Sequence, residues 1–139
     1  AGWSYALPTE AEWEYACRAG TKGAYSYGDS AEQLSEYGWW AGNSGNQPEP
    51  VGKLKPNPWG LYDMHGNLFE WCADAYLAYP GGKAFSTTGK MKVLRGGAYY
   101  CPSNILRSAC RAEAQEPDYR WILAGFRVVL APPLGQAED

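Results

Sequence analysis

Residues 7–20 read Leu-Pro-Thr-Glu-Ala-Glu-Trp-Glu-Tyr-Ala-Cys-Arg-Ala-Gly, and this stretch predicts the best-defined helix of the chain. Thr9 can cap the helix N-terminus, and Glu12 three residues later completes a capping box. Gly20 is a natural C-terminal stop. The helical spacing i, i+3, i+4 assigns one buried face to Trp13, Ala16 and Cys17.

Composition indicates one compact domain over residues 1–139, because 45% of the residues are hydrophobic and 19% are charged. A net charge of −3 gives no electrostatic footprint for nucleic acid or an anionic membrane surface. No apolar run approaches the roughly 20 residues that span a bilayer. The 7 Trp, 11 Tyr and 17 Gly predict short strands, many turns and large rings in the core. Composition leaves the compartment and the oligomeric state open.

Local patterns predict further elements with much irregular chain between them. A short helical piece is expected at residues 31–36, and a turn at 65–67. Residues 79–92 are expected to form a Gly/Ser/Thr loop, and the tail 131–139 is expected to fray. The segments predicted to be strands are 68–72, 93–95 and 125–130.

Four stretches together resemble the formylglycine-generating-enzyme-like (sulfatase-modifying factor type) family. They are residues 7–16, Asn-Pro-Trp-Gly-Leu-Tyr-Asp-Met-His-Gly-Asn at 57–67, Leu-Arg-Gly-Gly at 94–97 and Gly-Phe-Arg-Val-Val at 125–129. The resemblance implies an α+β, C-type-lectin-like fold with short strands and much irregular structure. The family opens with a strand pair and a helix that precede the segment matching Leu7. We therefore expect either a truncated domain or one piece of a cleaved chain.

The resemblance does not carry the family's catalytic residues to this sequence. Oxidase members of the family bind copper through two cysteines, and soft thiolates suit Cu(I). Cys101 matches the first position, but Leu106 occupies the second and cannot ligate a metal, whereas Cys110 matches a position outside the pair. Relatives that use iron need two histidines, and His65 is the single histidine here. We expect no catalytic residue and no required cofactor. A formylglycine-generating or related iron/copper oxidase homologue, active or degenerate, is the alternative.

Residues 93–130 keep the family's scaffold residues. Between these, at positions where many relatives have asparagine, the sequence carries other residue types. This mosaic resembles the variable protein of a diversity-generating retroelement, in which codon mutagenesis alters a surface on a C-type-lectin-like domain. Tyr and Trp supply stiff amphipathic contacts, and Ser and Asn supply adaptable hydrogen bonds. We therefore predict a diversified binding surface for a protein ligand. Its residues are Tyr100, Cys101, Ser103, Asn104, Cys110, Ala112, Glu113, Ala114, Tyr119, Trp121, Ile122 and Leu123.

Two alternatives to this surface stay open. Residues 121–123 are expected to be an exposed apolar loop, but they could instead belong to the core, and Tyr99 is expected to be buried. A structural or assembly domain without a dedicated pocket is a third interpretation. Cys101 and Cys110 could be free thiols, a disulfide or products of codon change.

Glu70 lies in a hydrophobic strand, where a buried carboxylate is usually paired or bound to an ion. Alternation puts Glu70 on one strand face with Leu68 and Cys72, opposite Phe69 and Trp71. The resemblance implies a calcium site, which would use this carboxylate with backbone oxygens of His65, Gly66 and Leu68. A salt bridge from Glu70 to Arg95, Arg107, Arg111 or Arg127 is equally open. Core positions are predicted for Trp13, Trp39, Trp40, Trp59 and Trp71.

Overall fold

The structure is a computed structural model that describes residues 2–77 and 90–132. Two short 3₁₀ segments, Ala31–Gln33 and Ser103–Leu106, accompany the regular helices. The helices are α1 (Glu10–Arg18) and α2 (Leu34–Tyr37). The strands are β1 (Ser4–Ala6), β2 (Phe69–Ala75), β3 (Lys92–Arg95), β4 (Glu113–Gln115), β5 (Ala124–Gly125) and β6 (Val129–Ala131).

The strands form a four-stranded sheet in the order β4-β3-β2-β5 and a separate ribbon of β1 with β6. Within the sheet, β2 and β3 are antiparallel and β2 and β5 are parallel. No helix in residues 2–77 and 90–132 is long and apolar enough to cross a membrane. The mixed helix-and-sheet architecture confirms the predicted α+β class.

The side-chain alternation predicted for β2 is confirmed by two core clusters. Cys72 joins Trp13, on α1, in the first cluster, whereas Phe69 joins the second. The first contains Trp13, Cys17, Met64, Cys72, Tyr76, Val93 and Ala114. The second contains Tyr25, Leu34, Phe69, Leu94, Ala98, Cys101 and Leu106.

The predicted helix forms, and its cap is the predicted one. The Thr9 hydroxyl accepts from the Glu12 amide at 3.1 Å, and the Glu12 carboxylate accepts from the Thr9 amide at 3.0 Å. The helix ends at Arg18, with Ala19 in the left-handed cap conformation at φ 48°. Gly20 follows, also with a positive φ of 86°.

The predicted continuous strand at 125–130 is wrong. Its first residue belongs to β5, which pairs with β2, whereas its last two belong to β6, which pairs with β1. The intervening residues 126–128 carry the chain from one sheet to the other. The predicted loop at 79–92 lies mostly outside the described residues, and β3 begins at its last residue. In the predicted tail, Ala131 is a strand residue, and residues 133–139 lie outside the described part.

Trp59 does not belong to the core, contrary to prediction. Its side chain is 47% exposed and packs edge-on against Tyr15, itself at the surface, with ring centroids 4.9 Å apart. Trp13 is fully buried, as predicted. The other three tryptophans predicted to be core residues, Trp39, Trp40 and Trp71, are partly buried.

Candidate ligand-binding surface

The predicted contact residues follow one another over the 3₁₀ segment, β4 and the loop that leads to β5. The exposed members are Tyr100, Asn104, Ala112, Tyr119 and Ile122. The half-buried members are Ser103, Cys110, Glu113, Trp121 and Leu123. Cys101 and Ala114 are buried in the two core clusters, so neither faces solvent as a contact residue would. For these two positions the prediction of an exposed side chain is wrong.

The apolar run at 121–123 is exposed only at its centre. Ile122 is 85% exposed, whereas Trp121 and Leu123 are half-buried. The Trp121 ring stacks on Phe69 with a centroid distance of 5.4 Å and an interplanar angle of 18°. Trp121 therefore anchors the loop to the core, and the Ile122 side chain projects from the loop into solvent.

Tyr99 and Tyr100 form an edge-to-face pair with centroids 5.8 Å apart. Tyr99 is half-buried and Tyr100 is 40% exposed. Partial burial, together with the neighbouring Cys101 thiol, raises the pKa of Tyr100 to about 12. The Tyr100 hydroxyl therefore stays protonated at neutral pH.

A fully buried arginine holds the turn that follows the 3₁₀ segment. Arg95 donates to the carbonyl oxygens of Ser108 at 2.9 Å and Cys110 at 2.8 Å. Its charge is balanced by Glu10 at 3.2 Å and by an ion pair with Glu14, both on α1. Helix, sheet and turn are thus joined through one side chain that is 0% exposed.

His65 holds the end of the 3₁₀ segment in a defined protonation state. The Ser26 amide lies 3.1 Å from Nε2 and can only donate, so Nε2 accepts and the proton sits on Nδ1. Nδ1 then donates to the Leu106 carbonyl at 2.8 Å. Burial lowers the pKa of His65 to about 4, with the Leu106 hydrogen bond opposing the shift. The imidazole is neutral at physiological pH.

Further frame groups reach the main chain of the same segment. The Tyr25 hydroxyl donates to the Ser103 carbonyl at 2.8 Å. The Ala41 amide donates to the Cys101 carbonyl at 3.1 Å, and the Phe69 amide to the Leu123 carbonyl at 2.8 Å. The Ser44 hydroxyl donates to the Tyr99 carbonyl, and the Tyr76 hydroxyl donates to the Arg111 carbonyl. The hydrogen bonds named above all end on main-chain oxygens, whereas Gln115 Nε2 donates to the carboxylate side chain of the predicted contact residue Glu113 at 3.1 Å.

Glu70 makes the salt bridge that was one of the two predicted alternatives. Its carboxylate oxygens each accept from Arg127 at 2.7 Å, and Oε2 also accepts from Trp13 Nε1 at 2.7 Å. A calcium ion at Glu70 would have to displace Arg127 from both carboxylate oxygens. This arrangement does not fit the calcium site that the resemblance implies.

The four cysteines are all free thiols. Cys17 and Cys72 are buried in the first cluster, and burial raises the pKa of each thiol to about 12. Burial also raises the pKa of Cys101. Leu106, at the place of the second copper ligand, is completely buried in the core.

The anchoring residues are the part of the site that sequence reasoning missed. Arg95 was recognised as family-like, but its two carbonyl contacts join elements far apart in the chain. Tyr25 and Ser44 lie in a loop-like stretch without periodicity, and no local signal marks their distant partners.

The sulfatase-modifying factor enzyme 1-like domain matches residues 1–132. This chain therefore belongs to that family, with its C-type-lectin-like fold. The formylglycine-generating enzyme of Streptomyces coelicolor is 38% identical over 87% of this chain and 45% of its own length. The enzyme of Mus musculus is 34% identical over 87% of this chain and 38% of its own length.

Solved structures give a second set of relatives. Treponema denticola variable protein 1 superposes with a TM-score of 0.81 at 36% identity, covering 89% of this chain and 46% of that protein. PvdO from Pseudomonas aeruginosa gives a TM-score of 0.74 at 31% identity, covering 91% of this chain and 52% of that protein. The chain spans about half the length of these relatives. They include both proteins named as enzymes and a protein named as variable.

Proposed function

We propose that this chain is a ligand-binding protein whose residues 93–130 carry a diversified surface, and that its ligand is a protein. The observation behind the proposal is the way the segment is anchored. The frame holds it through main-chain oxygens, while five predicted contact side chains stand in solvent. The likeness to a variable protein supports the same interpretation.

Main-chain anchoring separates the shape of the segment from the identity of its side chains. Every residue has a carbonyl oxygen, so the bonds from Tyr25, Ala41, Phe69 and Arg95 survive when a contact residue changes. A buried polar group left without its partner costs about 1–3 kcal/mol. A surface anchored through variable side chains would incur that cost with most substitutions, and this one does not.

The exposed side chains have the chemistry of a protein contact surface. Tyr100, Tyr119 and Ile122 offer apolar area, and Asn104 offers a donor and an acceptor. Aromatic anchors with polar neighbours are typical of binding hot spots and paratopes. Ile122, which is 85% exposed, directly follows Trp121, whose ring is stacked on Phe69.

The direct test compares several natural copies of this coding region. Diversification predicts that substitutions concentrate at codons 99–123 and spare the anchors Tyr25 and Arg95. Substitutions spread evenly over the chain would refute the proposal.

A displayed library tests the same idea without natural copies. Tyr100, Asn104, Ala112, Tyr119 and Ile122 are randomised together, and selection is made against hen-egg lysozyme as a model protein target. We expect most members to remain protease-resistant and binders to emerge. The control library randomises exposed positions away from the segment, which are Tyr15, Lys53, Val51, Trp59 and Tyr62. Loss of protease resistance in the first library alone would contradict main-chain anchoring.

A formylglycine-type oxidase is the second candidate, favoured by the enzymes that match at 34–38% identity. It requires a thiolate pair for Cu(I), and Leu106 stands where the second thiol is expected. Anaerobic Cu(I) titration, followed by thiolate-to-copper absorbance, tests it. Tight stoichiometric binding that is lost in Cys101→Ser would favour the enzyme over the binding protein.

A further inference from the structure

One face of the four-stranded sheet leads from the proposed contact surface to a cavity. Opposed residues of neighbouring strands share a face, so the pairings of Leu94 with Trp71 and with Glu113 set three side chains in one row across β2, β3 and β4. Lys92 lies on the same face, two residues before Leu94. Because Glu113 is a predicted contact residue, the row connects the contact surface with the central strands of the sheet.

The cavity on this face has a volume of about 420 Å³, within the range of about 300–1,000 Å³ that is typical of ligand pockets. Leu7 forms one side of it and lies beside β2, since the next residue, Pro8, accepts from the Ala73 amide at 2.8 Å. Pro117 forms the other side and belongs to the loop that carries Tyr119. We call the six lining residues the sheet trough: Leu7, Trp71, Cys72, Ala73, Lys92 and Pro117.

Trp71 brings a hydrogen-bond donor without an acceptor to the trough. Its ring is half-buried, and its Nε1 is not sealed in the interior. Within residues 2–77 and 90–132, no group accepts from this nitrogen, whereas the indole N–H of Trp13 donates to Glu70 at 2.7 Å. A tryptophan N–H usually finds a partner when it is buried. The Trp71 N–H therefore has room for an acceptor from outside the chain.

Lys92 brings a positive charge to the trough. Its Nζ donates to the Ala73 carbonyl at 2.8 Å, which fixes the ammonium group beside β2. An ammonium group has three protons, so two remain for other acceptors. The six residues of the trough include no carboxylate, and Glu113 at the far end of the row accepts from Gln115 at 3.1 Å. Apolar sides, two donors and a positive charge suit an apolar group that carries a carboxylate.

We infer that the sheet trough is a fixed subsite of the contact surface, which receives an apolar side chain and a neighbouring carboxylate of the protein ligand. The inference rests on the proposed function, because it takes the ligand to be a protein bound at residues 100–123. Two observations select this occupant: one side of the trough continues into the contact loop, and the charge of the trough is complementary to a carboxylate. Interfaces gain most of their affinity from a few side chains buried in pockets. A subsite on the sheet gives every version of a diversified surface the same anchoring contact.

The trough is tested first with a small probe that joins an aromatic side chain to a carboxylate, N-acetyl-L-phenylalanine. Among the seven tryptophan indole resonances, that of Trp71 is identified by its loss in Trp71→Phe. We expect this resonance to shift on titration with a dissociation constant of about 1 mM, as for a ligand of this size. The neutral N-acetyl-L-phenylalanine amide should bind about fivefold more weakly, because it lacks the ion pair with Lys92.

Lys92→Met is the decisive variant, since it removes the charge and leaves the Trp71 ring in place. It should lower the affinity for the carboxylate probe to that for the amide. The matched control is Lys53→Met, because Lys53 is an exposed lysine outside the trough. An unshifted Trp71 resonance, equal affinity for the two probes, or an equal loss in Lys53→Met overturns the inference.

The second measurement uses the lysozyme binders selected from the displayed library. Lys92→Met and Trp71→Phe should each weaken such a binder by about fivefold or more, whereas Lys53→Met and Trp59→Phe should leave its affinity unchanged. Binders that keep full affinity in Lys92→Met and Trp71→Phe overturn the inference and leave the proposed function intact. A library without binders contradicts the proposed function instead, and the probe titration then decides the chemistry of the trough by itself.

Discussion

The buried histidine makes the stability of this domain depend on pH in a way that can be calculated. His65 is 1% exposed, and its two nitrogens are occupied by the Ser26 amide and the Leu106 carbonyl. Its pKa falls from the ordinary value of 6.5 to about 4 in the folded chain. Between pH 6.5 and about pH 4, the imidazole therefore binds a proton in the unfolded chain but not in the folded chain.

The sign and the size of the effect follow from linkage between protonation and folding. Because the folded pKa is the lower one, the contribution is complete above about pH 7 and is lost as pH falls from 6.5 toward 4. A pKa difference of one pH unit corresponds to about 1.4 kcal/mol, so the whole contribution is about 3 kcal/mol. About 2 kcal/mol of it should be lost by pH 5, before most carboxylates titrate.

Urea unfolding at intervals from pH 7.5 to pH 4.5 measures the effect. His65→Gln and His65→Asn provide the comparison, because neither side chain titrates. Both variants should be less stable than the parent at pH 7, but their free energy of unfolding should fall less steeply on acidification. Since His65 is the single histidine in the chain, one imidazole resonance in an NMR titration reports its folded pKa without assignment. A folded pKa near 6.5, or equal pH slopes for parent and variants, would refute the reasoning.

Three further perturbations test the anchors and the Glu70 site. Tyr25→Phe removes the bond to the Ser103 carbonyl and should lower the free energy of unfolding in urea by about 1 kcal/mol. Arg95→Met removes a buried cation from Glu10 and Glu14, which keep Arg111 and Arg18 as partners, and it also removes the donor to the Ser108 and Cys110 carbonyls, so it should cost about 3–5 kcal/mol, measured by thermal unfolding. Calcium should leave the melting temperature unchanged because Arg127 occupies Glu70, whereas a site filled at 100 times its dissociation constant would add about 2.7 kcal/mol.

Each of these three has a matched comparison. Tyr15→Phe removes a hydroxyl at a 69% exposed ring and should be near neutral, so an equal loss there would contradict the Tyr25 argument. Arg107→Met removes an exposed arginine from the same segment and should cost far less than Arg95→Met. For calcium, a rise in melting temperature that EDTA reverses and that Glu70→Gln abolishes would establish the metal site.

Elements whose signal is local could be predicted from the sequence. Helix α1 is specified by its cap at Thr9, its apolar spacing and the stop near Gly20, all within a dozen residues. The faces of β2 follow from simple alternation, and both core clusters agree with it. Such local patterns can be recognised without knowing which distant residues the element will contact.

Elements that depend on distant partners were missed or misjudged. Strands β1 and β4 have three residues each, too few to show a period, and their partners lie far away in sequence. The split of residues 125–130 arises because β5 and β6 join different sheets, which no local pattern records. Trp59 is a large aromatic residue of the kind usually found in a core, but its loop places it at the surface beside Tyr15.

The predicted contact surface shows the same contrast between what the local sequence indicates and what packing against distant residues decides. The sequence offers Trp121, Ile122 and Leu123 as equivalent apolar residues, yet only Ile122 stands clear of the core. Trp121 stacks on Phe69, so replacing it would remove packing that supports the loop. Cys101 is subject to the same constraint because it fills space in the second cluster. On the proposed function, substitutions should be tolerated where side chains are exposed and main-chain oxygens are held. Where a predicted contact residue also fills the core, its shape is restricted, so exposed and packed positions alternate within a single segment.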